Sequence, residues 1–134
     1  MILDVILTCL AMNVYFEARG ESMEGQRAVA DVTITRADIS GRNICEEVFL
    51  DRQFSWNNGG DVKPVIRNKT AWEEALKASE ASLESPGVHS KGATHYHAIR
   101  WQGKPFPKPK WAYKLCEVLR IGNHVFYKSC QDPQ

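Results

Sequence analysis

The chain reads as a mainly helical α+β domain, on three observations. Residues 2–17 are apolar nearly all round, as a central helix must be. Several polar residues sit where helix-start chemistry requires them, ahead of apolar runs. The last forty or so residues break into short segments punctuated by glycine and proline, the mark of a small β element.

Each element follows from local chemistry. Gly20 is the natural stop for the first helix. Ser22 is placed as the N-cap of a second helix over residues 23–36, although the alternation Val32-Thr33-Ile34-Thr35 makes a strand its rival there. Asn43 and Glu46 form a capping box for a short helix over 43–50. Residues 51–68 are polar, with Asn57-Asn58-Gly59-Gly60 marking a loop. Thr70 and Glu73 form a second capping pair before Trp72, Leu76 and Leu83, in a helix stopped by Pro86-Gly87. Residues 93–101 have strand character, with a turn at Gln102-Gly103, and Pro105, Pro107 and Pro109 keep the following connection extended. Residues 111–120 read as helical, and Gly122-Asn123 turns the chain into a last strand, His124-Val125-Phe126-Tyr127.

The totals bound the function. A length of 134 residues fits one domain, taken as 1–134, and 43% hydrophobic with 25% charged residues describes a soluble protein with a true core. Seventeen basic against sixteen acidic residues give no global pull on nucleic acid or anionic membrane, so a charged partner must be met locally. No Lys or Arg precedes Arg19, and Asp4, Thr8 and Asn13 interrupt the apolar start. That pattern predicts neither a secretory signal nor stable membrane insertion, and hence synthesis in the cytoplasm. Cys9, Cys45, Cys116 and Cys130 show no CxxC spacing, which argues against structural zinc. Cys9 and Cys116 read as core thiols, and Cys130 as able to cross-link in an oxidising compartment.

Three clusters could carry chemistry. Glu17 lies where the apolar helix runs out into Ala18-Arg19-Gly20-Glu21. Partial burial would keep its carboxyl protonated, whereas Glu21, in a more polar place, would stay ionised; acid–base chemistry uses such unlike pairs. A solvated cap with a local ion pair is the plainer alternative. Gln53-Phe54-Ser55-Trp56 offers rings to stack on sugar faces and an amide to bond hydroxyl and acetamido groups; core aromatics are the alternative. In Ala93-Thr94-His95-Tyr96-His97-Ala98, a strand puts His95 and His97 on one face and Thr94 and Tyr96 on the other. His89 with these two imidazoles could make a zinc site, but no HExxH or similar spacing accompanies them, so no metal or other cofactor is expected. There is no GxSxG and no phosphate-binding glycine loop.

Taken in order, the run Asn13 to Glu21, then Glu24-Gly25-Gln26-Arg27-Ala28-Val29-Ala30, then Gln53-Phe54-Ser55-Trp56, Gly92 to His97 and Ile121 to Tyr127 resemble the motifs of the cell wall hydrolases of the spore-cortex-lytic (SleB-like) type. The resemblance spans roughly residues 7–127 and implies a lysozyme-like, lytic-transglycosylase-like domain. It implies peptidoglycan as partner, cut between N-acetylmuramic acid and N-acetylglucosamine with formation of a 1,6-anhydro end. Glu17 would be the catalyst and Glu21 a support. Gln53, Phe54, Trp56, Thr94, His95 and Tyr96 would bind substrate. One departure is Thr35-Arg36, where the family has asparagine before the arginine that closes its second helix. A bare catalytic domain beginning at its own methionine resembles a monomeric bacteriophage endolysin, brought to the wall through a holin for host lysis. A hydrolytic muramidase using Asp51, Asp61 or Glu21, a wall-binding module and a zinc amidase are the competing readings.

Overall fold

The computed structural model describes residues 2–49, 65–101 and 103–131. Helices α1 (Ile2–Ala18), α2 (Met23–Ser40), α3 (Ile44–Phe49) and α4 (Lys69–Glu84) come first. Strands β1 (His95–Ala98), β2 (Arg100–Trp101) and β3 (Lys104–Pro105), a 3-10 turn at Lys110–Lys114, and strands β4 (Cys116–Ile121) and β5 (His124–Lys128) follow. The mainly helical α+β class is therefore as the sequence predicts.

Helix α1 is the axis of the molecule, packed by α2, α3 and α4. Its Leu10, Ala11, Val14 and Tyr15 are wholly buried. They meet Ala28, Val29 and Val32 of α2, Ala75 and Ala78 of α4, and Ile121 and Phe126 of the sheet. Among the described residues no helix is long and apolar enough to cross a membrane.

Ser22 caps α2 by accepting the Gly25 N–H at 3.1 Å. The helix does not end at Arg36, nor do residues 32–35 form a strand; it continues to Ser40 and stops at Gly41 in the left-handed region. Val32 and Thr33 are buried in the helical core, and that packing outweighs the weak helix preference of β-branched residues. Asn43 and Glu46 form their reciprocal capping box at 2.9 and 3.0 Å. The cap of α4 is Asn68, not the Thr70–Glu73 pair: its side chain accepts the Ala71 N–H at 2.9 Å, so Thr70 lies inside the helix.

The larger sheet has the antiparallel order β1-β5-β4, and β2 pairs with β3 as a small hairpin. Residues 111–120 are thus not a helix. They split into the 3-10 turn and β4, whose backbone is satisfied by β5 across the Gly122-Asn123 turn. The strand read over 93–101 is likewise divided into β1 and β2.

Cys9 and Cys116 are not core thiols. Cys9 is bonded to Cys45, tying α1 to α3, and Cys116 to Cys130, tying the start of β4 to the segment after β5. No cysteine is a free core thiol. Spacing alone leaves three pairings open; only the approach of α3 to α1 and the β4–β5 pairing select this one.

Candidate active site

Glu17 occupies the last turn of α1, partly buried. Asn13, one turn earlier on the same face, is fully buried and donates to Thr33 Oγ1 of α2 at 3.1 Å. The buried Tyr96 phenol lies beside Asn13 and stands close enough to feel the Glu17 charge. Burial, first, and the neighbouring carboxylate, second, push the Tyr96 phenol far above the usual tyrosine range, so it remains protonated at any working pH. Thr33, Asn13, Tyr96 and Glu17 therefore form one polar line running through an otherwise apolar junction of α1, α2 and β1.

His124 lies on the same side of the sheet as Tyr96, with ring centroids 5.5 Å apart. It hydrogen-bonds the Glu17 backbone carbonyl, and its Nδ1 is 3.7 Å from Glu21 Oε1. Burial lowers its pKa below the usual 6.5 despite the opposing pull of Glu21, so the imidazole is neutral at pH 7. The Glu17 backbone is thereby fixed to the sheet.

Glu21 has a different setting. Its Oε1 accepts the Asn123 N–H at 2.9 Å, clamping the β4–β5 turn to the turn between α1 and α2. Gln26, also buried, donates to the Glu21 carbonyl at 3.0 Å and to Glu74 Oε1 at 3.2 Å, extending the tie to α4. Arg19 turns back from the site: its Nη1 donates to the Tyr15 hydroxyl at 2.7 Å, and its guanidinium lies over that ring. The same hydroxyl accepts the Arg67 and Asn68 N–H groups at 3.2 and 3.1 Å, seating the start of α4 on α1.

The strand alternation holds. Tyr96 faces the helices, whereas His95 and His97 face outward onto Trp111, with centroids 5.1 and 5.9 Å away. His97 Nε2 is 2.9 Å from the Tyr127 hydroxyl, and His95 Nδ1 is 2.8 Å from Thr94 Oγ1. Burial, then Arg36, lowers the His95 pKa. Thr94 is anchored through its carbonyl, which accepts Arg36 Nη1 at 3.1 Å. Arg36 is therefore a mid-helix tether, bonded on its other side to the buried Glu47 at 3.4 Å. Among the described residues no three His, Cys, Asp or Glu side chains gather to hold a metal, so His89, His95 and His97 do not form one site. Gln53, Phe54 and Trp56, with Asp51 and Asp61, lie outside the described residues.

The structure thus brings together Glu17, Glu21 and Tyr96 and sets His95 on the opposite face of the sheet. Two residues that the sequence reading passed over complete the junction. Asn13 could have been found as the polar residue one turn before Glu17 in an apolar helix. His124 sits in the quoted motif Ile121 to Tyr127, and its buried place on the inner face appears only once β1 and β5 are paired.

A helical core whose central helix delivers a carboxylate to the edge of a small antiparallel sheet defines a lysozyme-like α+β domain. The chain belongs to the cell wall hydrolase family, whose model matches residues 20–127. That match takes in Glu21, Tyr96 and His124 and begins three residues after Glu17, so the place of Glu17 rests on the helix geometry. The chain is similar to the catalytic domain of the germination-specific lytic transglycosylase SleB from Bacillus anthracis. The two share 25% identity and a TM-score of 0.71, over 92% of this chain and 93% of that one. It also resembles the catalytic domain of the Bacillus cereus SleB protein, at 24% identity and a TM-score of 0.62 over 92% and 90%. No curated protein sequence matches it.

Proposed function

We propose that the chain cleaves peptidoglycan glycan strands between N-acetylmuramic acid and N-acetylglucosamine as a lytic transglycosylase, with Glu17 as its acid and base. The observation that carries this is the unequal setting of the two carboxylates. Glu21 spends one oxygen on the Asn123 N–H, while Glu17 sits beside a phenol that stays protonated. An acid set beside a protonated phenol suits a reaction in which one residue serves first as acid and then as base.

In the first step Glu17 gives its proton to the glycosidic oxygen, and the C1–O bond breaks with the electron pair leaving on that oxygen. In the second, the Glu17 carboxylate takes the proton of the muramic C6 hydroxyl while O6 bonds to C1. A 1,6-anhydro ring forms, no water is consumed, and Glu17 ends protonated as it began. Glu21 supports from the turn; Thr94 and Tyr96, with Gln53, Phe54 and Trp56, bind the glycan. The rival muramidase would need a second carboxylate to activate water or attack C1.

Work on the wall as a single-domain monomer, without metal, is part of the same reading, as is the role of an endolysin passed through a holin. Two disulfides accord with a fold completed outside the reducing cytosol. Mass spectrometry of digested sacculi tests the chemistry. Anhydromuramic ends are expected, abolished in Glu17→Gln and untouched by a chelator. Reducing muramic ends would establish the muramidase, and new free amino groups with chelator sensitivity the amidase.

A further inference from the structure

The near-neutral net charge conceals a division along the chain. Residues 1–84 carry fourteen acidic and nine basic side chains, whereas residues 85–134 carry two acidic and eight basic ones. The helical part is therefore acidic, with Glu73, Glu74, Glu80 and Glu84 of α4 exposed, and the β part is basic. Glu117, on β4, is paired with Arg120 at 2.9 and 3.0 Å, so its charge is locally cancelled.

The positive charge is concentrated beyond the outer face of the sheet. Lys104, Lys108, Lys110 and Lys114 are all exposed. Interleaved with them are Tyr113, 71% exposed, and Phe106, 43% exposed. Lys108 Nζ lies 4.4 Å from the centre of the Tyr113 ring, a cation–π contact that holds the two together. Beneath this layer Trp111 is packed on His95, His97 and Tyr127. Trp111 thus fixes the 3-10 turn that presents Lys110, Tyr113 and Lys114. The neighbouring Cys116–Cys130 disulfide holds the strand that follows. A basic and aromatic surface held this firmly costs little ordering when it binds.

We propose that this outer face of the β part is a second docking surface, separate from the Glu17 site, for the stem-peptide carboxylates that flank the glycan strand. The lysines pair with the carboxylates, and Tyr113 and Phe106 stack on adjacent sugar faces. The acidic helices repel the same polymer, so the charge division orients the enzyme with its β part toward the wall. This rests on the wall substrate of the family and is independent of the role of Glu17.

The test is co-sedimentation of the Glu17→Gln protein with purified sacculi across a salt series. Adding Lys108→Gln, Lys110→Gln and Lys114→Gln should weaken binding by about tenfold at low salt and flatten the salt dependence. Tyr113→Ala should weaken it further. Lys69→Gln with Lys77→Gln, on α4, should have no effect. Amidating the carboxylates of the sacculi should reproduce the lysine loss, while stripping wall phosphodiesters with hydrofluoric acid should leave binding intact. Unchanged binding by the triple variant overturns the proposal. So does loss of binding on phosphodiester removal, or capture by anionic phospholipid vesicles in preference to sacculi. If the product analysis fails while this binding pattern holds, the chemistry assigned to Glu17 is at fault and the surface stands.

Discussion

Glu21 and Asn123, 102 residues apart in sequence, are joined by a 2.9 Å hydrogen bond from the Asn123 N–H to the Glu21 carboxylate. The β4–β5 turn that carries Asn123 comes close to Glu21. A Cβ on Gly122 would lie 2.5 Å from the same carboxylate oxygen, and Gly122 has a φ of 53°. Gly122→Ala should therefore destabilise the fold by about 1–3 kcal/mol, from left-handed strain plus displacement of Glu21. Urea denaturation measures this, and an unchanged midpoint would mean that the clamp is not held. Glu21→Ala should cost about 1–3 kcal/mol by depriving the Asn123 N–H of its acceptor.

Tyr96 gives the second prediction. Its hydroxyl is the polar group that the Asn13 line brings to Glu17. Tyr96→Phe keeps the ring against Phe126 and His124 and removes only that oxygen. If the phenol orients or assists the carboxyl, kcat should fall about 10- to 100-fold with KM nearly unchanged. Equal losses in kcat and thermal stability would instead mark a packing role.

How much of this was legible follows from the kind of signal each element leaves. The apolar run of α1, the Ser22 cap and the Asn43–Glu46 box are local, and they could be read directly. Residues 111–120 could not, because Lys114 to Leu119 has no clear period and becomes a strand only through pairing with β5. Thr70 and Glu73 matched a capping box by spacing, but the cap falls to Asn68, whose backbone N–H is held by the Tyr15 hydroxyl, a partner distant in sequence. In the site, Glu17 was visible as a carboxylate ending an apolar helix. The use of Glu21 as a clamp was invisible, since its partner lies at the far end of the chain.

A third prediction concerns pH. His124 and His95 both have pKa values lowered chiefly by burial. The unfolded chain then binds protons that the folded one refuses, so stability rises with pH in that range. It is fully present above the unperturbed value of about 6.5 and is lost as pH falls from there through the depressed folded values. Thermal midpoints between pH 8 and 5 should decline on the acid side, and His124→Gln should shallow the decline. A midpoint that rises on acidification would contradict the burial assigned to these rings.

The last prediction concerns the disulfides, which close loops with sequence separations of 36 and 14 residues. Loop-closure entropy gives each a stabilisation of about 3–4 kcal/mol, slightly larger for the longer loop. Their mechanical effects differ. Cys9–Cys45 holds α3 against the helix that ends in Glu17, while Cys116–Cys130 holds the edge of the sheet behind the basic face. Replacing Cys9 and Cys45 together by serine should lower the thermal midpoint by about 10 °C or more, with a loss of cleavage that tracks the unfolded fraction. Replacing Cys116 and Cys130 should lower it by a comparable amount and also weaken attachment to sacculi in the Glu17→Gln background, because the strand beside Lys114 is released. Four titratable thiols in the native protein purified under oxidising conditions would show that neither cross-link forms. A Cys116→Ser, Cys130→Ser protein that binds sacculi as tightly as its parent would separate the disulfide from the docking face.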